Sequence, residues 1–264
     1  MTGLNSTLDA IRTGRAPSVV SLRVGGWSRA QWRRANRRLV TPQAADLLVG
    51  PTSHVFSDAV GLLHHLLPGV DLGPVLAEYA EVETELRRRR DSDDGAYGDR
   101  LFDVQAATAR FLYCLARLNK PENVWETGVA DGVSSFVLLQ AMARNGVGTL
   151  HSTDIRSNVG SLVDPNERSQ WDLRILDRSH PTRSLKSYAA TLGALDLFVH
   201  DSLHRYGWQT TELEAAARQL RAGGFIASDD VDSSLAYADF CQALELDPQY
   251  LFDETKFFGI ARWR

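Results

Sequence analysis

The stretch Val124-Trp-Glu-Thr-Gly-Val-Ala-Asp-Gly-Val-Ser-Ser135 reads as a short strand, a glycine turn and the opening of a helix. Gly128 and Gly132 permit close approaches that a Cβ would block. A strand feeding a helix through such a turn suits a sheet with helices on its faces. The flanking sequence repeats the alternation. Residues 104–118 have helical spacing and stop at Asn119-Lys-Pro121, and residues 134–144 form a helix ending at Asn145-Gly146. Residues 149–155, 171–176, 195–200 and 225–228 read as further strands. Residues 210–221 place Leu213, Ala216, Ala217 and Leu220 on one helical face, stopped by Gly223-Gly224. Residues 231–244 make another helix, and 250–254 with 256–263 a closing hairpin. The expected fold is α/β: a mostly parallel sheet with one antiparallel strand at its edge, near the C-terminus.

Upstream of residue 100 the character changes. Helical pieces at 8–12, 28–39, 44–48, 57–67 and 72–90 are separated by Thr41-Pro42, Gly50-Pro51 and Pro68-Gly69. His64 and His65 are adjacent in a helix, so their side chains point about 100° apart and read as packing or surface groups. Residues 91–98, including Tyr97, read as a loop able to close over a site. The expected division is a helical cap or oligomerisation segment at 1–100, a homo-oligomer contact included, and the α/β domain at 101–264.

The 264 residues are 44% hydrophobic and 23% charged, which excludes disordered and collagen-like classes. No run approaches the roughly 18 apolar residues of a membrane span, and the N-terminus lacks a signal-like apolar region. Cys114 and Cys241 have no metal-ligand spacing and read as buried thiols in a reducing, cytoplasmic setting. Residues 1–50 hold eight Arg, no Lys and two acids, a net of +6, so the remainder carries −10. Arg33, Arg34, Arg37 and Arg38 read as a solvated helix face, because no nucleic-acid motif accompanies them. A nucleic-acid binder using this arm is the contrasting reading. Arg residues at 87–90 follow Glu78, Glu81, Glu83 and Glu85, an order that suits a helix dipole.

Ligands of open parallel sheets bind beyond the carboxyl ends of the strands, where strand order reverses. The turn spacing is Glu126-x-Gly128-x-x-x-Gly132, without the third glycine of the dinucleotide fingerprint or the lysine of a P-loop. Asp154 ends the next strand, 22 residues beyond Gly132, where a carboxylate can accept both hydroxyls of a ribose. This turn with this acid resembles class I S-adenosylmethionine-dependent methyltransferases over residues 101–264, and so implies their Rossmann-like sheet. The resemblance implies that Gly128, Gly132 and Ser134 surround the methionine moiety, with Ser134 near its carboxylate. It implies that Glu126 orients the loop, that Asp154 holds the ribose, and that Asp177 and Ser179 contact adenine.

Two further strand ends narrow the chemistry. Leu195-Asp-Leu-Phe-Val-His-Asp201-Ser-Leu-His204 ends a strand in an acid, with a histidine three residues later. Phe225-Ile-Ala-Ser-Asp229-Asp230 ends its neighbour in two acids. Three clustered carboxylates repel unless a cation compensates, and Mg²⁺ with oxygen ligands would do so at Asp201, Asp229 and Asp230. The structural alternative is that the acids are separate helix caps, Asp230 above all. The set is similar to metal-dependent small-molecule O-methyltransferases. Catechol-methylating members carry a lysine three residues after the first acid and an acid–amide pair; here His204 and Asp-Asp stand in those places. Those departures resemble the branch that methylates sugar hydroxyls of macrolides and other glycosides. His204 would be the general base beside Asp201, and His200 a structural residue on the opposite face. Alternatives are a metal-independent O- or N-methyltransferase and, because Asp154 would also suit a nicotinamide ribose, an NAD-linked oxidoreductase.

Overall fold

Alternating strands and helices build one eight-stranded sheet. The computed structural model describes residues 54–92 and 103–264. Its strands are β1 His54–Phe56, β2 Asn123–Thr127, β3 Thr149–Asp154, β4 Trp171–Ile175, β5 Leu195–His200, β6 Leu220–Ser228, β7 Gln249–Asp253 and β8 Lys256–Arg262. They lie in the order β1-β7-β8-β6-β5-β2-β3-β4. Only β8 runs against its neighbours β6 and β7. The chain winds outward from β2 through β3 to β4, then returns to β5 on the other side of β2. Strand order therefore reverses between β2 and β5, above which open sheets bind ligands.

The helices are α1 Ala59–Leu66, α2 Gly73–Ser92, α3 Ala106–Asn119, α4 Val133–Asn145, α5 Pro181–Ala189, α6 Tyr206–Ala217 and α7 Ala236–Ala243. Strand residues alternate between two cores. Val124, Leu197, Val199 and Phe258 pack with α1 to α4, through Leu62, Tyr79, Phe111 and Phe136. Trp125, Phe198, Ile226 and Tyr250 pack with α5 to α7, through Leu185, Leu213 and Phe240. Cys114 and Cys241 are free thiols, one in each core. No helix among the described residues is long and apolar enough to cross a membrane.

Several expectations meet corrections. The antiparallel strand is not at the edge: β8 is interior, and β7 and the three-residue β1 continue the sheet beyond it. The helix expected at 210–221 is α6, ending at Ala217, and Leu220 already belongs to β6. Gly223-Gly224 marks a register shift against β5, where Leu195 pairs with Leu220 but Leu197 with Phe225, rather than a helix stop. The helix expected at 231–244 is broken into a 3₁₀ turn at Val231–Ser233 and α7. Helix α5 was not anticipated. The change of character at residue 100 is not a gap in packing. β1 pairs with β7, and α1 and α2 share the core of α3 and α4. Arg89 of α2 bonds Glu167 and sits over the Phe136 ring of α4. The helical pieces at 8–12, 28–39 and 44–48, the arginines 33–38 and Tyr97 lie outside the described residues.

Candidate active site

The tips of β2, β5 and β6 are stitched together just past the strand ends. Gly128 N–H donates to Thr153 O, Asp201 N–H to Thr127 O and Asp229 N–H to His200 O, each at 2.8 Å. Gly128, Asp201 and Asp229 are thereby brought side by side along the crevice. Gly128 has φ +84°, and a Cβ there would lie 2.2 Å from the Asp201 carbonyl oxygen. Gly132 has φ +96°, with the Gly160 Cα 3.0 Å from its missing Cβ. Both glycines are needed by the chain's own packing, independently of a ligand. Ala130 also takes a left-handed φ, of +50°.

Below the turn, Glu126 is fully buried and accepts hydrogen bonds from Ser134 Oγ at 2.9 Å, Ser152 Oγ at 2.6 Å and Ser135 Oγ. Burial raises its carboxyl above the ordinary range, while the three hydroxyls pull the other way. Glu126 thus ties α4 and β3 to the turn from below, and the Ser134 hydroxyl is directed inward to it. The N-cap of α4 is Gly132, which offers no side chain, so the helix start presents its first N–H groups uncapped by it.

Asp154 stands at the end of β3. Its Oδ2 accepts Val129 N–H and its Oδ1 accepts Arg156 N–H, each at 2.9 Å. A carboxylate has about four lone-pair sites, so both oxygens retain capacity for hydroxyls. Asp177 is exposed, and its Oδ1 accepts Ser179 N–H at 2.8 Å. That bond, with His180 beside it, holds the carboxyl below its usual range.

The three acids at the tips of β5 and β6 gather around two cationic or basic side chains. His204 Nε2 lies 3.7 Å from Asp201 Oδ1 and 3.4 Å from Asp230 Oδ2, with only 9% of its side chain exposed. Asp230 takes a left-handed φ of +50°, a backbone strain of the kind held at functional sites. Burial, followed by Asp229 and Asp230, raises the Asp201 carboxyl well above the ordinary range. Sequence reasoning missed Lys256, the first residue of β8. Its ammonium pairs with Asp229 Oδ2, lies 4.0 Å from Asp230 Oδ2 and donates to the Asp103 carbonyl at 3.3 Å. Burial disfavours that charge, yet Asp229, Asp201 and Asp230 together raise the lysine above its usual value. Part of the counter-charge expected from a cation is therefore supplied by the chain. Among the described residues, no three His, Cys, Asp or Glu side chains stand as a ready cation cage.

His200 faces away from the acids' strand tip into the α6 side. Its Nδ1 is 2.5 Å from Glu212 Oε2, which also accepts Thr127 Oγ1 and Ser202 Oγ at 2.7 and 2.8 Å. Its ring meets that of His204 edge-on, with centroids 5.1 Å apart. His200 and Glu212 thus form a buried floor under His204. Glu212 was also missed, because nothing in an amphipathic helix pattern distinguishes an inward acid.

Residues 125–231 match a family described as a methyltransferase domain. No curated protein matches the chain by sequence. An O-methyltransferase from Bacillus cereus, solved in complex with SAH, is 15% identical with a TM-score of 0.50, covering 78% of this chain and 98% of its own. A methyltransferase from Geobacter sulfurreducens is 20% identical with a TM-score of 0.48, over 78% and 95%. The MycE methyltransferase of the mycinamycin biosynthetic pathway, in complex with Mg and SAH, is 21% identical with a TM-score of 0.37, over 47% and 31%. The likeness to the Bacillus cereus structure is one of fold: the sheet is that of a Rossmann-like methyltransferase.

Proposed function

We propose that this chain, whose residues 125–231 match a methyltransferase domain, is an S-adenosylmethionine-dependent O-methyltransferase. Its acceptor is a hydroxyl of a sugar or glycosylated small molecule, and a divalent cation, Mg²⁺, assists. The observation that carries the reading is His204 Nε2 held within 4 Å of two carboxylates beside the Gly128 crevice.

The residues fit the donor. The start of α4 suits its carboxylate, Asp154 has oxygens for a ribose, and Asp177 with Ser179 borders the far side beyond β4. Bound there, S-adenosylmethionine supplies a methyl group on a sulfonium cation, a charge that neighbouring carboxylates favour. The residues also fit a divalent ion. With all three ionised, Asp201, Asp229 and Asp230 less the Lys256 ammonium leave a formal charge of −2, and Asp201 is buried beside Asp229 and Asp230 with Lys256 opposing them only in part. A cation at Asp201, Asp229 and Asp230 supplies acidification of the acceptor hydroxyl.

The chain's own part is binding, orientation and proton handling. His204 receives the acceptor proton at Nε2, where Asp201 and Asp230 stabilise the imidazolium that results. The Glu212–His200 floor keeps its ring from turning away. The remaining requirement is in-line placement of the oxygen, which is a matter of positioning. Leu203 and Tyr206, both exposed, flank His204 and offer apolar surface to the body of an acceptor.

Exhaustive chelation tests the cation. Methyl transfer from labelled S-adenosylmethionine to glycoside acceptors is expected to fall at least tenfold with EDTA and to return when Mg²⁺ is restored. Undiminished transfer after chelation would favour the metal-independent reaction, with His204 acting alone.

A further inference from the structure

The arginines of α2 divide by where they reach. Arg87 and Arg88 are mostly exposed, at 73% and 66%, and pair with Glu83 and Glu85 of their own helix. Arg89 is only 18% exposed and crosses to the donor side of the sheet. Its Nη1 donates to the Leu162 carbonyl at 2.9 Å. The same fork closes on Glu167 of the 3₁₀ turn Pro165–Gln170, through Nη1 at 2.5 Å and Nη2 at 2.9 Å. A bidentate, charge-assisted pair of this kind fixes orientation as well as distance. The stretch so gripped is the one that touches the glycine turn. Gly160 N–H donates to the Ala130 carbonyl at 2.9 Å, and Leu162 N–H to the Asp131 carbonyl at 3.0 Å. Leu162 therefore takes Arg89 on its carbonyl and gives its amide to the turn. Ala130 has a left-handed φ of +50°, a conformation that persists in a side-chain-bearing residue only where its surroundings impose it.

We propose that Arg89 is a positioning residue for the donor turn: gripping Leu162 and Glu167, it holds residues 160–163 against Ala130 and Asp131, so that α2 sets the affinity of the donor site. The inference rests on the reading of the Gly128 crevice as the S-adenosylmethionine site, and gives a part in it to a helix upstream of residue 100. Arg89 touches neither donor nor acceptor in this account. It acts by keeping the turn in its binding shape before the donor arrives, and a site that spends less time in that shape binds more weakly in proportion. Chemistry at the tips of β5 and β6 is left alone, so the effect falls on donor affinity and not on the rate once the donor is bound.

Calorimetric titration of the full chain with S-adenosylhomocysteine tests this. Arg89→Met keeps an aliphatic stem over the Phe136 ring and removes the hydrogen bonds. It is expected to raise Kd by about fivefold or more, with a matching rise in the KM for the donor and kcat at saturating donor within twofold of wild type. Arg117→Met is the matched control. Arg117 is equally buried and ties α3 to Glu78 of α2 by a similar fork, at 2.7 and 2.9 Å, but has no bond to residues 160–163. Its loss is expected to lower Tm while leaving S-adenosylhomocysteine affinity within twofold. Wild-type affinity in Arg89→Met, or equal weakening in Arg117→Met, would overturn the proposal. Should Arg89→Met not fold, Glu167→Gln loosens the grip from its other end. It is expected to weaken binding at least threefold, and unchanged binding there overturns the proposal as well. Wild-type protein that binds no S-adenosylhomocysteine would remove the donor reading itself, an outcome distinct from any of these.

Discussion

His204→Ala is expected to lower kcat by about 10²–10⁴-fold, the contribution of a positioned general base. Affinity for S-adenosylhomocysteine is expected to stay within threefold. The two readouts separate because the residue's neighbours are the acids of β5 and β6, not the glycine turn. His204 Nε2 faces Asp201 and Asp230, and its ring rests on His200. Nothing in that set ties it to Glu126 or Asp154, which order the donor side. The comparison to make is single-turnover methyl transfer against calorimetric binding. An alanine variant that transfers methyl at the wild-type rate would leave the acids to do the proton work and remove His204 from the mechanism.

The second large effect is on stability. Gly128→Ala places a Cβ 2.2 Å from the Asp201 carbonyl oxygen, a backbone atom that cannot swing aside. Its φ of +84° adds the strain of a left-handed conformation. Overpacking and strain together cost about 3–5 kcal/mol, which for a domain of this size lowers Tm by on the order of 10 °C. Gly146→Ala is the matched control. Its φ is +67°, but nothing lies within 4 Å of the added Cβ, so only about 1–2 kcal/mol of strain applies. Equal melting shifts for the two variants would show that the contact between the tips of β2 and β5 is not as tight as described. Gly128 therefore joins the donor side to the acid side by packing alone, at the point where strand order reverses.

The strands were legible where burial on both faces leaves an apolar run. β5 falls on its expected limits because Leu195–His200 is buried at every position between helices on each side, and β3 and the partly exposed edge strand β4 fall within a residue of theirs. Legibility failed where one pattern imitates another. Leu220 continues the helical spacing of Leu213, Ala216 and Ala217, so the start of β6 read as the end of α6. Helix α5 is nine residues, opened by Pro181 and marked only by Leu185, Tyr188 and Ala189 turning inward. β1 has three residues and exists through its pairing with β7.

The site divides in the same way. Gly128, Asp154, Asp201, His204, Asp229 and Asp230 sit at strand ends, where topology and spacing point. Lys256 is 26 residues beyond Asp230 and carries no local signal; only the return of β8 alongside β6 delivers it. The serine cluster on Glu126 was equally hidden, since helix and strand hydroxyls meet there only in three dimensions.

The claim beneath all of this is that the Gly128 crevice holds an adenosyl sulfonium donor, with Asp154 beneath its ribose. Calorimetric titration of the full chain with S-adenosylhomocysteine, and in parallel with NAD, tests it most directly. The account predicts one S-adenosylhomocysteine site, weakened at least tenfold in Asp154→Ala, and no NAD binding. Saturable NAD binding with no response to S-adenosylhomocysteine would contradict it.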